Sequence, residues 1–243
     1  MFYVNIIIVN LIAWVALSYF WSLWTHKVFK PWAWLELKKR GLMSSKVAGM
    51  ERKYKDRVRF YAYFFAMEQV ERRGVEGSFV MAGLEDAELL SLLRLQCPER
   101  DIWVAAPLEA TEVTLIHENC QGEVSNDPVA VDFVDEEEVR QILPEGPKNH
   151  VLKGSVTELI GQVEGPVALA LVDCVEYDGV LAALRHLYPL VPEGGLIIVH
   201  SYNHTWEGVR RAVDDFVAGI PEALVPLPDM YGSVAIAVSR KEK

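Results

Sequence analysis

The side chains in this sequence that could do chemistry are few, and they fall at the ends of short apolar runs. Asp173 closes the run Val167–Asp173. His200 follows directly on Gly195–Val199, and His204 comes four residues later. One carboxylate beside an imidazole is a poor set for Mg²⁺, which wants oxygen ligands in near-octahedral array. With His204 added, the same groups would suit a transition metal, but His-x-x-x-His on a loop is too thin a pattern, and no metal is expected. Gly83 ends the run Ser78–Ala82 and would let backbone approach a ligand at a strand's carboxyl end. Ala106 ends Asp101–Ala106 and has no acceptor to offer; Glu109, in the loop beyond, is the carboxylate that could substitute. Cys97, Cys120 and Cys174 are odd in number and show no C-x-x-C spacing, so reduced thiols are expected rather than disulfides or zinc. His117, His150 and His186 have no partner at ligand spacing, and Asp135–Glu138 reads as the acidic start of a helix. Gly-x-Ser-x-Gly, Walker and Cys–His patterns are missing. No catalytic residue is assigned.

The elements that hold these residues read as an α/β domain. Short apolar strands at Ser78–Ala82, Asp101–Ala106, His150–Lys153, Val167–Asp173 and Gly195–Val199 alternate with helical patterns. The helices fall at Arg57–Arg73, Glu85–Leu95, Glu136–Leu143, Val156–Val163, Asp178–Tyr188 and Glu207–Ala218. Val129–Phe133 is either a further strand or a loop, and Val225–Pro228 with Ser233–Val238 reads as a closing hairpin. Strands alternating with helices imply a parallel, doubly wound sheet with one antiparallel edge.

What precedes this body is different in kind. The chain has 243 residues with 24 Lys+Arg and 34 Asp+Glu, net −10, but residues 1–26 carry no charged side chain. Residues 27–73 hold 13 Lys+Arg and 5 Asp+Glu, net +8, and residues 74–243 hold 11 and 29, net −18. So acidic a body argues against a nucleic-acid partner. Phe2–Trp24 is apolar apart from Asn5, Asn10, Ser18 and Ser22. Its length suits a membrane span, with a buried soluble helix as the alternative. No basic n-region precedes it and it exits through bulky Trp21 and Trp24, so an uncleaved anchor is expected over a signal peptide. Lys27, Lys30, Lys38, Lys39 and Arg40 follow, which places the C-terminal body in the cytoplasm by the positive-inside rule. Trp14, Trp21, Trp24, Trp32 and Trp34 are candidate membrane or partner contacts. So are Asn5 and Asn10, whose amides could bond a neighbouring helix. Trp32–Leu42 reads as an interfacial helix or a solvated linker. The expected layout is a transmembrane helix over residues 1–26, a basic juxtamembrane segment over 27–57 and a folded domain over 58–243.

Several segments, in order, resemble the macrocin O-methyltransferase family of S-adenosylmethionine-dependent enzymes. Phe60-Tyr61-Ala62-Tyr63 through Gly77-Ser78-Phe79-Val80-Met81-Ala82-Gly83 is similar to its aromatic helix and "G-D-F-V-E-C-G" strand. Ala170–Tyr177 is similar to "L-D-x-D-L-Y-E-S-T". Leu187-Tyr188-Pro189 through Pro192-Glu193-Gly194-Gly195-Leu196-Ile197-Ile198-Val199 is similar to "L-Y-P-x-L-x-P-G-G-x-I-I-x-D-D-Y". Trp206–Phe216 is similar to the "W-x-G-x-R-x-A-V-D-E-F" helix. The resemblance implies a seven-stranded, mostly parallel, Rossmann-like methyltransferase sheet behind one N-terminal transmembrane helix. It also implies where function should sit, and there the sequence departs. The family's paired glycines correspond to Ala87 and Glu88, its first-strand acid to Met81, and its ribose-binding acid to Ala106. Of its three metal-binding aspartates Asp173 remains, while His200 and Ser201 stand at the other two; Val175 replaces the second aspartate of the strand motif.

The pocket that results, with Gly83, Ala106, Asp173, His200 and Tyr202 at the family's positions, reads as vestigial. The expected protein is therefore a non-catalytic, membrane-anchored accessory or scaffold subunit. Its partners would be the lipid bilayer and integral membrane subunits of the inner, cytoplasmic membrane, and no cofactor is expected. The alternatives are an active S-adenosylmethionine-dependent O-methyltransferase acting on a membrane-soluble quinone, pigment or lipid, and a ligand-sensing module.

Overall fold

The computed structural model describes residues 2–25, 30–118, 124–131, 134–203 and 206–239. His204 and Cys120 lie outside them. The chain divides into two compact units, Met1–Ala48 and Gly49–Lys243.

The first unit opens with α1, Phe2–Thr25, 24 residues long. At ~1.5 Å per residue it measures about 36 Å, longer than a hydrocarbon core of about 30 Å. Tyr3–Trp21 has a mean hydropathy of 1.9 and none of it is buried, so the helix is long and apolar enough to cross a membrane. Asn5, Asn10, Trp14 and Trp21 are exposed; the side chain of Trp24 is not among those described. The Asn10 amide donates to the Ile6 carbonyl of its own helix at 2.8 Å, so this donor is satisfied without a neighbouring helix. Pro31 precedes α2, Trp32–Lys39, as a proline incompatible with a continuing helix should. The helix ends at Gly41 (φ 68), where the Leu42 amide donates to Leu37. Trp32 is 80% exposed whereas Trp34 is buried. Of this pair, only Trp32 is free to meet a membrane or partner.

The second unit is a three-layer α/β sandwich. A helix not read from the sequence, α3 (Ser45–Lys53), leads into it, followed by α4, Arg57–Arg72. Asp56 caps α4 by accepting the Val58 and Arg59 amides. The central strands are β1 (Ser78–Ala82), β2 (Ile102–Ala106), β5 (Asn149–Lys153), β6 (Val167–Val172) and β7 (Leu196–Val199). With β8 (Val225–Pro226) and β9 (Val234–Ala237) they form a sheet in the order β5-β2-β1-β6-β7-β9-β8. The first five run parallel, and β9 returns antiparallel to β7 and β8. Strands β1 and β6 are buried on both faces, which is why they read as unbroken apolar runs. The remaining helices are α5 (Ala87–Gln96), α6 (Glu136–Ile142), α7 (Val156–Leu159), α8 (Tyr177–Leu187) and α9 (Glu207–Val217). The helix expected from Glu85 begins at Ala87 instead, because Asp86 takes the capping role and accepts the Glu88 amide at 2.8 Å.

Between β2 and α6 the chain makes a separate antiparallel hairpin, β3 (Thr111–Glu118) with β4 (Val124–Val131). Of the expected strand or loop at Val129–Phe133, Val129–Val131 is the end of its second arm, and Asp132 and Phe133 lie outside the described residues. Val113 of β3 and Val175, just beyond β6, form a small core with Val129, Val131 and Trp206. The hairpin thus packs over the carboxyl end of the sheet, beside α9, where Ile116 lies close to Gly208.

Candidate functional site

The order reversal between β1 and β6 puts the carboxyl ends of β1, β2, β6 and β7 side by side, the usual place for a ligand in such a sheet. Gly83, Ala106, Asp173 and His200 sit at those four ends in turn. They do not share one pocket.

The first feature is an open cleft of about 460 Å³, large enough for a nucleoside-sized ligand. Gly83 lines it together with Pro107, Glu109, Lys153–Val156, Cys174–Glu176 and the hairpin residues Thr111–Val113. Glu109, the substitute carboxylate, does reach this cleft, but its Oε2 is held at 3.0 Å by Lys153, which also lies 3.4 Å from Glu136. Leu108 before it has φ 56, a left-handed conformation rare for a leucine. Burial keeps the Cys174 thiol protonated, its pKa raised well above the usual value, and Sγ donates to the Ala82 carbonyl. It is not an activated nucleophile. Ala106 is fully buried.

The second feature is a largely buried cluster next to the cleft. Asp173 and His200 are 3% and 2% exposed, and one donor atom each from Glu85, Asp173 and His200 lie within 4.8 Å of one another. Asp173 Oδ2 accepts the Glu85 amide at 3.2 Å and pairs with Arg59 Nη2 at 3.4 Å. Burial opposes ionisation of Asp173, but the Arg59 guanidinium outweighs it and, with the Glu85 amide, holds its pKa below the usual carboxylate value. Burial, with Asp173 and Asp86 adding to it, pushes Glu85 up to about 8, so it is mainly protonated at neutral pH. Burial likewise lowers His200, which stays neutral. Its Nδ1 lies 2.9 Å from Ser233 Oγ. Ser201 next to it has φ 59. Tyr202 turns away, its hydroxyl donating to Asp214 of α9 at 2.7 Å.

Sequence reasoning found Asp173 and His200 and missed Arg59 and Glu85. The available signal was a basic residue on the apolar stripe of α4, four residues before Tyr63, whose ring Arg59 overlies at 5.4 Å.

The family resemblance implies two groups, S-adenosylmethionine and a divalent metal. For S-adenosylmethionine the decisive segment is the turn after β1. A Cβ on Gly83 (φ 83) would stand 2.3 Å from the Asp173 carbonyl oxygen, so strand packing by itself accounts for this glycine. The N-terminus of α5, a natural carboxylate site, is taken by the Asp86 side chain, whose other oxygen accepts the Tyr54 hydroxyl at 2.5 Å. Ala106 supplies no acceptor for a ribose. These residues do not fit that cofactor. Mg²⁺ fits no better, since of the family's metal-binding aspartates Asp173 alone is present and it is paired with the Arg59 guanidinium.

Comparison with known proteins agrees with the architecture. The family described as macrocin-O-methyltransferase (TylF) matches residues 54–227. The O-methyltransferase NovP is similar in structure, with a TM-score of 0.61 and 22% identity, over 76% of this chain and 81% of that one. The calicheamicin methyltransferase CalS11 gives a TM-score of 0.56 and 16% identity, over 74% and 79%. No curated protein sequence matches the chain.

Proposed function

The chain belongs to the macrocin-O-methyltransferase family, and from that premise we propose that it is a member without methyl-transfer activity. It serves as an accessory or scaffold subunit of an integral membrane complex. The observation that carries this reading is the turn after β1, filled by the protein's own side chains. The Glu85 carboxyl joins the buried cluster and Asp86 caps α5, so the approach that a cofactor's carboxylate would use is occupied. The apolar helix α1 anchors the chain as a single span in the inner, cytoplasmic membrane. The basic residues after it hold the acidic domain on the cytoplasmic side.

Titration calorimetry of the full chain in detergent with S-adenosylmethionine tests the catalytic half. We expect no binding tighter than about 100 μM, and tighter binding overturns it. Gentle extraction with identification of co-purifying subunits tests the other half; a chain recovered only as monomer, or released from membranes by alkaline carbonate, counts against it. One observation favours the second reading, an active O-methyltransferase acting on a membrane-soluble acceptor: the cleft is open and Glu109 stands at its edge.

A further inference from the structure

Glu85, Asp173 and His200 present one imidazole and two carboxyl groups with donor atoms within 4.8 Å of each other. That is the spacing of ligands around a single ion. Facing them is a guanidinium, and the fold fixes it there. Arg59 is 6% exposed on the buried side of α4. Its own amide is bonded to the capping Asp56, whose other oxygen accepts the Met230 amide at 2.6 Å and so ties the start of α4 to the segment before β9. Its Nη2 reaches Asp173 at 3.4 Å. Two atoms in the cluster, Arg59 Nε and Glu85 Oε1, are buried with no hydrogen-bond partner. Oxygen and imidazole donors in such an array suit a divalent transition ion, and an unpaired carboxyl oxygen is a vacant ligand.

We propose that the Arg59 guanidinium is the resident cation of this cluster, and that Glu85, Asp173 and His200 form a latent transition-metal site closed by the protein's own side chain. The proposal deepens the non-catalytic reading of the domain. It does not depend on whether S-adenosylmethionine binds the neighbouring cleft, so either can fail alone.

The probe is Co²⁺, titrated into the full chain in detergent and followed by its ligand-field absorption. The wild type is expected to show no specific site. Arg59→Met keeps most of the side-chain bulk and removes the charge; it is expected to bind Co²⁺ at least ~100-fold more tightly than wild type. His200→Ala in the Arg59→Met background is expected to abolish that gain. Micromolar Co²⁺ binding by the wild type that His200→Ala removes would overturn the proposal, because Arg59 would then not exclude the ion. So would a folded Arg59→Met chain that binds no better than wild type, or a gain that survives His200→Ala. If Arg59→Met does not fold in metal-free buffer, it is refolded with Co²⁺. Recovery of the native near-ultraviolet spectrum supports the proposal, and failure to recover overturns it.

Discussion

Replacing Gly83 by alanine separates the packing account of this glycine from a ligand-binding one. The added Cβ would lie 2.3 Å from the Asp173 carbonyl oxygen, 2.6 Å from its carbon and 2.9 Å from the Cys174 nitrogen. Relief requires the ends of β1 and β6 to separate by about 1 Å, the gap between such a contact and ordinary packing. That displacement acts on two short ladder bonds, Asp173 N–H to Ala82 at 2.7 Å and Gly83 N–H to Ala105 at 2.8 Å. Overpacking of this kind costs about 1–3 kcal/mol, and weakening each bond adds up to about 1 kcal/mol. Holding alanine at φ 83 adds roughly 1 kcal/mol. The expected loss is therefore about 4 kcal/mol, or roughly 8–16 °C in Tm for a domain of this size. Thermal unfolding of the full chain in detergent, with and without 1 mM S-adenosylmethionine (~10 times the affinity limit set above), reads it directly. The same loss in both conditions is expected. A Gly83→Ala chain within about 1 kcal/mol of wild type, changed only in its response to the cofactor, would refute the packing account.

Glu85→Gln tests the buried cluster through pH. Glu85 rises from 4.5 to about 8 on folding, so between those values the folded state keeps a proton that the unfolded state releases. Stability must fall as pH rises across that window. The full shift corresponds to roughly 5 kcal/mol; with the charge shared with Asp173 and some remaining solvent contact, about 2 kcal/mol is expected. Urea unfolding should place the variant level with wild type at pH 5 and above it at pH 9, and parallel curves at every pH would disprove this. Trp206→Ala removes the ring under the β3–β4 hairpin and, as a half-buried position, should cost about 2 kcal/mol. Hydrogen exchange should then rise in the hairpin while β1 and β6 keep their protection; a uniform rise would show that the hairpin is not a separate unit.

The legible parts of the fold were those where burial is complete on both faces. Ser78–Ala82 has the same bounds as sequence and as strand, and Val167–Val172 differs by its last residue, because a central parallel strand covered on both faces is nearly all apolar. The hairpin was hidden for the opposite reason. Its arms alternate polar and apolar residues only loosely, and β4 carries Pro128, which a two-stranded ribbon tolerates and a central strand does not. Helix α3 was hidden by its basic, weakly apolar composition. In the site, Asp173 and His200 were readable together because each ends one of two adjacent strands. Arg59, 114 residues before Asp173, could not be paired with it from spacing, since an arginine in a helix normally reaches solvent. Only its place on an aromatic stripe marked it.

The pairing of Arg59 with Asp173 also explains how this domain keeps its packing motifs without the ligand positions. Carboxyl groups gathered at strand ends are a liability that a bound cation or cofactor can offset, but such stabilisation lasts only while the ligand is bound. A guanidinium supplied by α4 offsets it permanently. The cost is coordination: with Asp173 paired to Arg59 and His200 Nδ1 beside Ser233, an ion would have to displace the guanidinium to bind. The cleft beside β1, β2 and β5 is unaffected, because Asp173 and His200 do not line it. Loss of one half of the site therefore does not require loss of the other. If Arg59 takes the place of an ion as proposed, a cleft of about 460 Å³ still lies beside the cluster, which is why metal binding and cofactor binding have to be measured separately.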